Sequence, residues 1–159
     1  MKIRIITIGK LKEAYWKAAE AEYLKRLTPY AKTEVLELPD LPSKENASSK
    51  EEEEVKIKEG KEILSQLKPN DYVVLLDLGK EEHSSPSLAK QMEKWMTSSG
   101  ANLTFVIGGS LGLSEQVRSR GNASLSLSKL TFTHQMTRII LLEAIYRSFK
   151  INNHEPYHK

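Results

Sequence analysis

The chain has 159 residues, of which 39% are hydrophobic and 28% are charged, a composition typical of one compact soluble domain spanning residues 1–159. It contains no cysteine, which excludes disulfides, thiolate zinc sites, iron–sulfur clusters and a cysteine nucleophile. The formal net charge of +3 is too small by itself to indicate nucleic-acid binding.

The charge is unevenly distributed along the chain. Residues 1–117 carry 17 Lys and Arg against 19 Asp and Glu, a net of −2, whereas residues 118–159 carry 7 against 2, a net of +5. This asymmetry either arises by chance on a short segment or indicates that the C-terminal quarter faces an anion such as a polynucleotide. Neither a signal peptide nor a membrane-spanning stretch of ~18 apolar residues is evident, so we expect a cytoplasmic protein.

The first half of the chain alternates strand and helix patterns. Residues 2–9 are β-branched and close on a glycine, which predicts a strand, and residues 13–27 carry a helical apolar stripe that ends before Pro29. Residues 33–38 form a second predicted strand. Ser49 and Glu52 then match a capping box, which predicts a helix to about residue 67 with an exposed acidic start.

The second half continues the same alternation. Nearly continuous apolar residues predict buried strands at 72–78 and 102–107, and Ser85 with Pro86 predicts the start of the helix between them, which runs to about Met96. A helix over 114–121, a strand over 124–128 and a helix over 134–149 capped by Thr133 follow. The fold class is therefore α/β, with a mostly parallel five-stranded sheet and helices on both faces.

Three loops are candidates for binding a ligand. In open α/β sheets, ligands bind at the carboxyl ends of the strands, which selects residues 76–80, 108–112 and 127–133. The second of these loops is the glycine cluster GGSLG, which is a weak motif because a structural turn explains it equally well. The chain has neither a GxGxxG fingerprint nor a phosphate loop, which argues against dinucleotide, kinase and GTPase chemistry.

The last predicted helix is apolar on almost every side, which indicates either the centre of the core or a subunit interface. On it, Glu143 and Arg147 are spaced to form an ion pair. Arg138 has no acidic partner within one turn, so it must find a carbonyl, an acid from elsewhere in the chain or an anionic ligand.

The polar C-terminal tail has two open interpretations. Ten residues of this type commonly fray, but Tyr157, His158 and Lys159 are also suited to stack on a base and contact a phosphate. A metal clamp between His154 and His158 would need a helix that Pro156 disfavours, so no metal site is expected.

Four blocks of the sequence, in order along the whole chain, resemble the bacterial RlmH family of small SPOUT-class methyltransferases. These blocks are MKIRIITIGKLKEAYW, FVIGGSLGLS, LSLSKLTFTHQMTRIILLEAIYR and EPYHK. The resemblance implies transfer of a methyl group from S-adenosylmethionine to N3 of a pseudouridine in 23S ribosomal RNA, by a homodimer with a deep C-terminal trefoil knot. The sequence departs from the family at Thr133, where proline is common, and in the offset loop 79–83.

The resemblance also implies which residues bind the donor. They lie in the three candidate loops and comprise Leu76, Gly108, Leu127, Ser128, Lys129, Leu130, Thr131 and Phe132. No metal cofactor is implied.

The implied chemistry requires N3–H to lose its proton, so we expect positive charge that stabilises the ring anion and a proton acceptor that titrates near neutral pH. Arg138 and Lys159 suit the first role and His158 the second, with Tyr157 beside it, while His134 is a competing base. Two other functions stay open, namely a ribosome-binding assembly factor without turnover and another α/β enzyme acting on nucleotides or sugar phosphates.

Overall fold

Strands and helices alternate strictly along the computed structural model, which describes residues 1–100 and 102–159. The elements are β1 (Lys2–Ile8), α1 (Ala14–Leu27), β2 (Lys32–Leu38), α2 (Ser49–Ser65), β3 (Tyr72–Leu76), α3 (Ser85–Ser98), β4 (Asn102–Ile107), α4 (Glu115–Arg120), β5 (Ala123–Leu125) and α5 (His134–Asn152).

The five strands form one sheet in the order β2-β1-β4-β3-β5, and each neighbouring pair is parallel. The predicted α/β class is confirmed, and the sheet is parallel throughout. Because all strands run the same way, the loops that follow β1, β3, β4 and β5 emerge at a common edge. The C-terminal trefoil knot stays a prediction.

Side chains alternate between the two faces of the sheet, as the strand period requires. One face carries Ile5, Val74 and Phe105 and is covered by α1, α3 and α5. The other face carries Val73 and Val106 and is covered by α2 and α4. Helices therefore lie on both faces, as predicted, and α5 contacts both α1 and α3.

Two helices begin one residue away from the predicted caps. Ser48, not Ser49, accepts a hydrogen bond from the Glu51 backbone N–H at 3.2 Å and completes the capping box. Ser84, not Ser85, accepts from the Ser87 N–H at 3.2 Å. Each start offers two adjacent serines that are both good caps, and in both helices the structure uses the earlier one.

Two strands end earlier than predicted. β3 stops at Leu76 because the chain turns at Asp77, whose carbonyl accepts a hydrogen bond from the Lys80 N–H at 3.3 Å. β5 stops at Leu125 because the Ser126 N–H donates to the Glu81 carbonyl at 2.8 Å instead of continuing the ladder. These early ends lengthen the two loops that form the candidate site.

In the described part of the chain, no helix has the length and apolar character that crossing a membrane requires.

Candidate functional site

A cleft of about 360 Å³ opens where β3, β4 and β5 end, within the size range of small-molecule sites. Its walls are the loops after these strands and the first turn of α5, where His134 and Thr137 face the opening. The cleft therefore forms at the three loops that the sequence selects.

Seven of the eight residues predicted to bind the donor line this cleft. They are Leu76, Gly108, Leu127, Ser128, Leu130, Thr131 and Phe132. Lys129 is exposed and is not part of the lining.

The glycine loop lies directly against buried neighbours. A Cβ on Gly108 would approach Leu113 Cδ2 to 2.7 Å, and a Cβ on Gly109 would approach Glu59 Oε1 to 2.7 Å. Gly112 has φ +89°, in the left-handed region that favours glycine, and its N–H donates to the Gly109 carbonyl at 3.0 Å. At Gly108 and Gly109 the loop thus presents backbone to the cleft because there is no room for a side chain.

Glu59 is a buried acid behind the glycine loop that the sequence analysis missed. It is 4% exposed, and its Oε2 accepts a hydrogen bond from the Leu41 N–H at 3.1 Å. Burial raises the pKa of the Glu59 carboxyl, and nearby Asp40 raises it further against the lowering effect of the Leu41 hydrogen bond. Glu59 lies in a strongly charged helix, so its sequence surroundings gave no sign that it is buried.

The loop between β5 and α5 is shaped by its own side chains. The Ser126 hydroxyl donates to the Ser128 carbonyl at 2.9 Å, and the Ser128 hydroxyl accepts from the Leu130 N–H at 3.0 Å. Thr133 then caps α5, as predicted, by accepting from the Met136 N–H at 3.3 Å. These local bonds hold the wall of the cleft in place of a regular strand.

Asp77 contributes the carboxylate of the cleft lining. It follows directly after β3, and its Oδ1 lies 3.6 Å from Nη2 of the partly exposed Arg118. The signal in the sequence is an acid at the carboxyl end of a buried strand, inside the candidate loop 76–80.

Arg138 is bound within the chain instead of facing the cleft. It is 2% exposed, its Nη1 lies 3.1 Å from Glu20 Oε2 and 2.6 Å from Glu37 Oε2, and its Nη2 donates to the Gly9 carbonyl at 3.0 Å. Of the partners that the sequence left open, the structure supplies a carbonyl and two distant acids. Arg138 therefore ties α5 to α1, β1 and β2, and its guanidinium is not available to a ligand in this arrangement.

The C-terminal tail is packed against α5. The ring of Tyr157 meets that of Tyr146 edge-on at 4.9 Å between centroids, and the Arg147 guanidinium lies 4.6 Å from the Tyr157 centroid. The predicted pair of Glu143 and Arg147 is confirmed at 2.7 Å. Of the two interpretations of the tail, the structure supports the ordered one.

Glu155 holds the same tail through hydrogen bonds with Tyr30 and Lys150. Its two carboxylate oxygens accept from the Tyr30 hydroxyl at 2.9 and 3.0 Å, and Lys150 Nζ donates at 3.1 Å. The hydrogen bonds from Lys150 and Tyr30 lower the pKa of Glu155.

The tautomer of His158 follows from its neighbour. Arg147 Nη1 lies 3.1 Å from His158 Nδ1, and because an arginine only donates, Nδ1 accepts and the neutral ring carries its hydrogen on Nε2. His158 is therefore a hydrogen-bond donor through Nε2 while this contact persists. To accept a proton at Nδ1, it must first separate from Arg147.

Most of the positive excess of residues 118–159 is engaged in internal contacts. Arg118, Arg138, Arg147 and Lys150 form ion pairs. Arg120 donates to the backbone carbonyls of Lys68 and Asp71 at 2.9 and 3.0 Å. Within the described residues, Lys129 and Lys159 are the cations of this segment that have no such contact.

Comparison with known protein families gives a match over nearly the full length of the chain. Residues 1–158 match the family model described as "Predicted SPOUT methyltransferase".

Proposed function

Because the chain belongs to the SPOUT methyltransferase family, we propose that it transfers a methyl group from S-adenosylmethionine to N3 of a pseudouridine in 23S ribosomal RNA. The family assignment supports the reaction class and the donor. The narrower substrate rests on the resemblance of four sequence blocks to the RlmH family. The observation that carries the proposal is that seven predicted donor-binding residues enclose one cleft.

The properties of the cleft fit the proposed donor. S-adenosylmethionine supplies a methyl group on a positively charged sulfonium, and this methyl group is already electrophilic. The Asp77 carboxylate complements that positive charge, while Leu76, Leu127 and Phe132 offer apolar contact. The glycine loop lets backbone groups approach the ligand closely.

The acceptor nitrogen needs help because the N3–H of a uracil-type ring is a weak acid. A hydrogen bond to a ring carbonyl stabilises the anion that forms when the proton leaves. His158 supplies such a donor through Nε2–H, given the contact of its Nδ1 with Arg147. This geometry favours anion stabilisation by His158 over proton uptake, and it leaves His134 at the cleft as the proposed base.

Replacing His158 separates these roles. If His158 donates, His158→Gln should keep much of the methylation rate and the same pH profile, because glutamine retains an N–H donor, whereas His158→Ala should be slow. If His158 is the base, both variants should be slow and the acidic limb of the pH–rate profile should disappear.

The proposed activity is tested with ribosomes and labelled S-adenosylmethionine, followed by mass spectrometry of the digested 23S RNA for N3-methylpseudouridine. Thr131→Arg places a bulky cation in the cleft and should raise the donor Kd at least tenfold by calorimetry. Thr97→Arg, the same change at an exposed site of α3, is the matched control. Donor binding without methyl transfer would favour the ribosome-binding factor, and absence of donor binding would contradict the proposal.

We propose a homodimer because large apolar side chains are exposed around the site. Leu130 is 70% exposed and Leu78 is 54% exposed at the cleft, and Met136 is exposed on the first turn of α5. Exposed apolar groups concentrated at one edge mark an interaction surface. The rest of α5 packs on α1 and α3, so the dimer face would include its N-terminal part.

We also propose that the active site is shared between the two subunits, on the basis of the length of α5. His134 at the cleft and Arg147 beside His158 are thirteen residues apart on one helix, or about 20 Å at 1.5 Å per residue. Mixing Thr131→Arg with His158→Ala subunits should restore activity if the tail of one subunit completes the cleft of the other. No recovery in a proven heterodimer would show that each site is built from one chain.

A further inference from the structure

A second cavity of about 320 Å³ lies beside the cleft. Leu125, Ser126 and Leu127 line both spaces, so this one segment forms a wall common to the two. The opposite wall comes from the start of α3 and the middle of α5, which contributes Ile140 and Arg147. The cavity thus extends from the proposed donor site toward the residues that hold the tail.

His83, which lines this cavity, carries a hydrogen-bonding atom that the described part of the chain leaves unused. Its side chain is 7% exposed, and its Nδ1 lies 2.8 Å from the Ser87 hydroxyl. Its Nε2 is buried and has no hydrogen-bond partner among the described residues. Glu81 Oε1 is 3.8 Å from Nε2, which is too long for a hydrogen bond. A buried polar atom without a partner is unfavourable, and His83 is one of the residues that line the cavity, so a small rotation of its ring would bring Nε2 to a group bound there.

We propose that this cavity receives the target pyrimidine ring of the RNA and that His83 Nε2 hydrogen-bonds to the polar edge of the ring. The inference rests on the proposed function and assigns the place where its acceptor binds. An enzyme that modifies a base takes it out of the stack and holds it between apolar side chains, with hydrogen bonds to its edge. Leu88, Ile140 and Ala144 supply the apolar contacts.

The polar groups of the cavity match a neutral ring better than an anion. Glu143 lines the cavity and would repel a phosphate, and it already holds Arg147 at 2.7 Å. A pyrimidine of the uracil type offers two carbonyl acceptors on either side of an N–H donor. His83 meets either kind of group, because the tautomer of its ring adjusts to what the Ser87 hydroxyl donates or accepts.

The loop that carries His83 is also where the sequence departs from the family pattern. The offset loop of residues 79–83 ends at this imidazole, and the Glu81 carbonyl within it accepts from the Ser126 N–H at 2.8 Å. This backbone bond fixes the loop to the segment that separates the two spaces. The position of His83 is therefore set by the same residues that shape the donor cleft.

Kinetics of His83 variants test the assignment. His83→Leu should raise the KM for RNA about tenfold, while the kcat at saturating RNA and the Kd for S-adenosylmethionine stay within twofold of wild type. His83→Gln, which keeps a polar group and guards against misfolding of the leucine variant, should show a smaller rise. Glu82→Leu adds the same apolar side chain at the exposed neighbouring residue and is the matched control.

Three results would overturn the assignment. The first is an unchanged KM for RNA in a folded His83→Leu protein. The second is a higher Kd of the His83→Leu protein for S-adenosylmethionine, which would make the cavity part of the donor site. The third is a change in sedimentation with an unchanged KM, which would make the cavity a contact between two copies of the chain.

Nitrogen NMR of the histidine side chains distinguishes this inference from the proposed function, since it requires no methyl transfer. An RNA stem-loop with a pseudouridine in its loop should shift the His83 Nε2 resonance in the wild-type protein and not when the loop base is removed. A shift without methyl transfer would support the cavity and contradict the proposed reaction. Methyl transfer without a shift would contradict the cavity alone.

Discussion

Replacing Arg138 by methionine tests whether this residue is structural. The change removes the guanidinium while keeping most of the apolar length of the side chain. It takes away the partner of Glu20 at 3.1 Å, of Glu37 at 2.6 Å and of the Gly9 carbonyl at 3.0 Å. Two carboxylates are then left facing each other without a cation.

The expected loss of stability follows from the burial of these groups. Removing one partner of a buried ion pair costs about 3–5 kcal/mol. The side chain of Glu37 is 41% exposed and can be rehydrated, so we expect the low end, about 3 kcal/mol. For a chain of this length, that loss lowers the Tm by about 6–12 °C.

The pH dependence gives a second readout. Burial raises the pKa of Glu20, and Arg138 lowers it, so removing Arg138 raises the folded-state pKa further. An acid with a raised folded-state pKa holds its proton more tightly when folded, so it reduces stability as the pH rises from its ordinary pKa through the folded-state value. The loss of unfolding free energy in Arg138→Met should therefore be larger at pH 8 than at pH 5.

Urea unfolding at both pH values measures these effects. Arg118→Met removes a partly exposed pair and should change the unfolding free energy by less than about 0.5 kcal/mol. Adding Glu20→Gln and Glu37→Gln to Arg138→Met should restore part of the loss. If Arg138→Met loses less than about 1 kcal/mol of unfolding free energy with an unchanged m-value, or loses more at pH 5 than at pH 8, the structural role is refuted. Arg138 would then return to the catalytic candidates.

Three further substitutions have defined expectations. Glu59→Gln should raise the unfolding free energy at pH 8 and have little effect at pH 5, because the raised pKa of Glu59 makes its ionised form unfavourable in the folded protein. Urea titrations measure this difference, with the exposed Glu62→Gln as the control, and a larger gain at pH 5 would contradict the raised pKa. Thr133→Ala should cost about 1 kcal/mol by thermal unfolding because it removes the cap of α5, whereas Thr133→Ser should be neutral; equal losses would mean that the hydroxyl is not what stabilises the helix. Glu155→Gln should loosen the tail, which NMR would detect as sharper Tyr157 ring resonances. Because hydrogen bonds lower the pKa of Glu155, the wild-type tail should loosen only as the pH falls below the ordinary carboxyl range. The exposed Glu93→Gln is the control, and unchanged Tyr157 resonances in Glu155→Gln would show that Glu155 does not hold the tail.

The fold was largely predictable because its signals are local and repeated. Apolar runs such as residues 72–76 and 102–107 and the apolar stripe of α1 identify strand and helix without tertiary information. The boundaries were less accurate where neighbouring residues compete for one role. Ser48 and Ser49 can each cap α2, and β5 ends at a hydrogen bond between Ser126 and Glu81, 45 positions earlier in the chain.

The candidate site was predictable where a topological rule applied and not where packing decides. The carboxyl ends of parallel strands located the cleft, together with the residues that the family resemblance assigns to it. Glu59 and His83 lie in charged or polar stretches, and their burial arises only when α2 meets the glycine loop and when the loop after β3 meets β5. Arg138 was correctly recognised as needing a partner, but its acids lie 101 and 118 positions away.

The internal use of most C-terminal cations changes what the charge asymmetry means for RNA binding. Nonspecific affinity for a polynucleotide grows with the number of phosphates that free cations neutralise. Arg138 and Arg147 are committed to carboxylates, so the free charge of this segment is concentrated at Lys129, beside the cleft, and Lys159, at the end of the tail. With two free cations, this segment adds little nonspecific affinity, so we expect its contribution to selectivity to come from the shape and hydrogen-bonding groups of the site. Two copies would double those cations, which gives the proposed homodimer an electrostatic role in addition to completing the site.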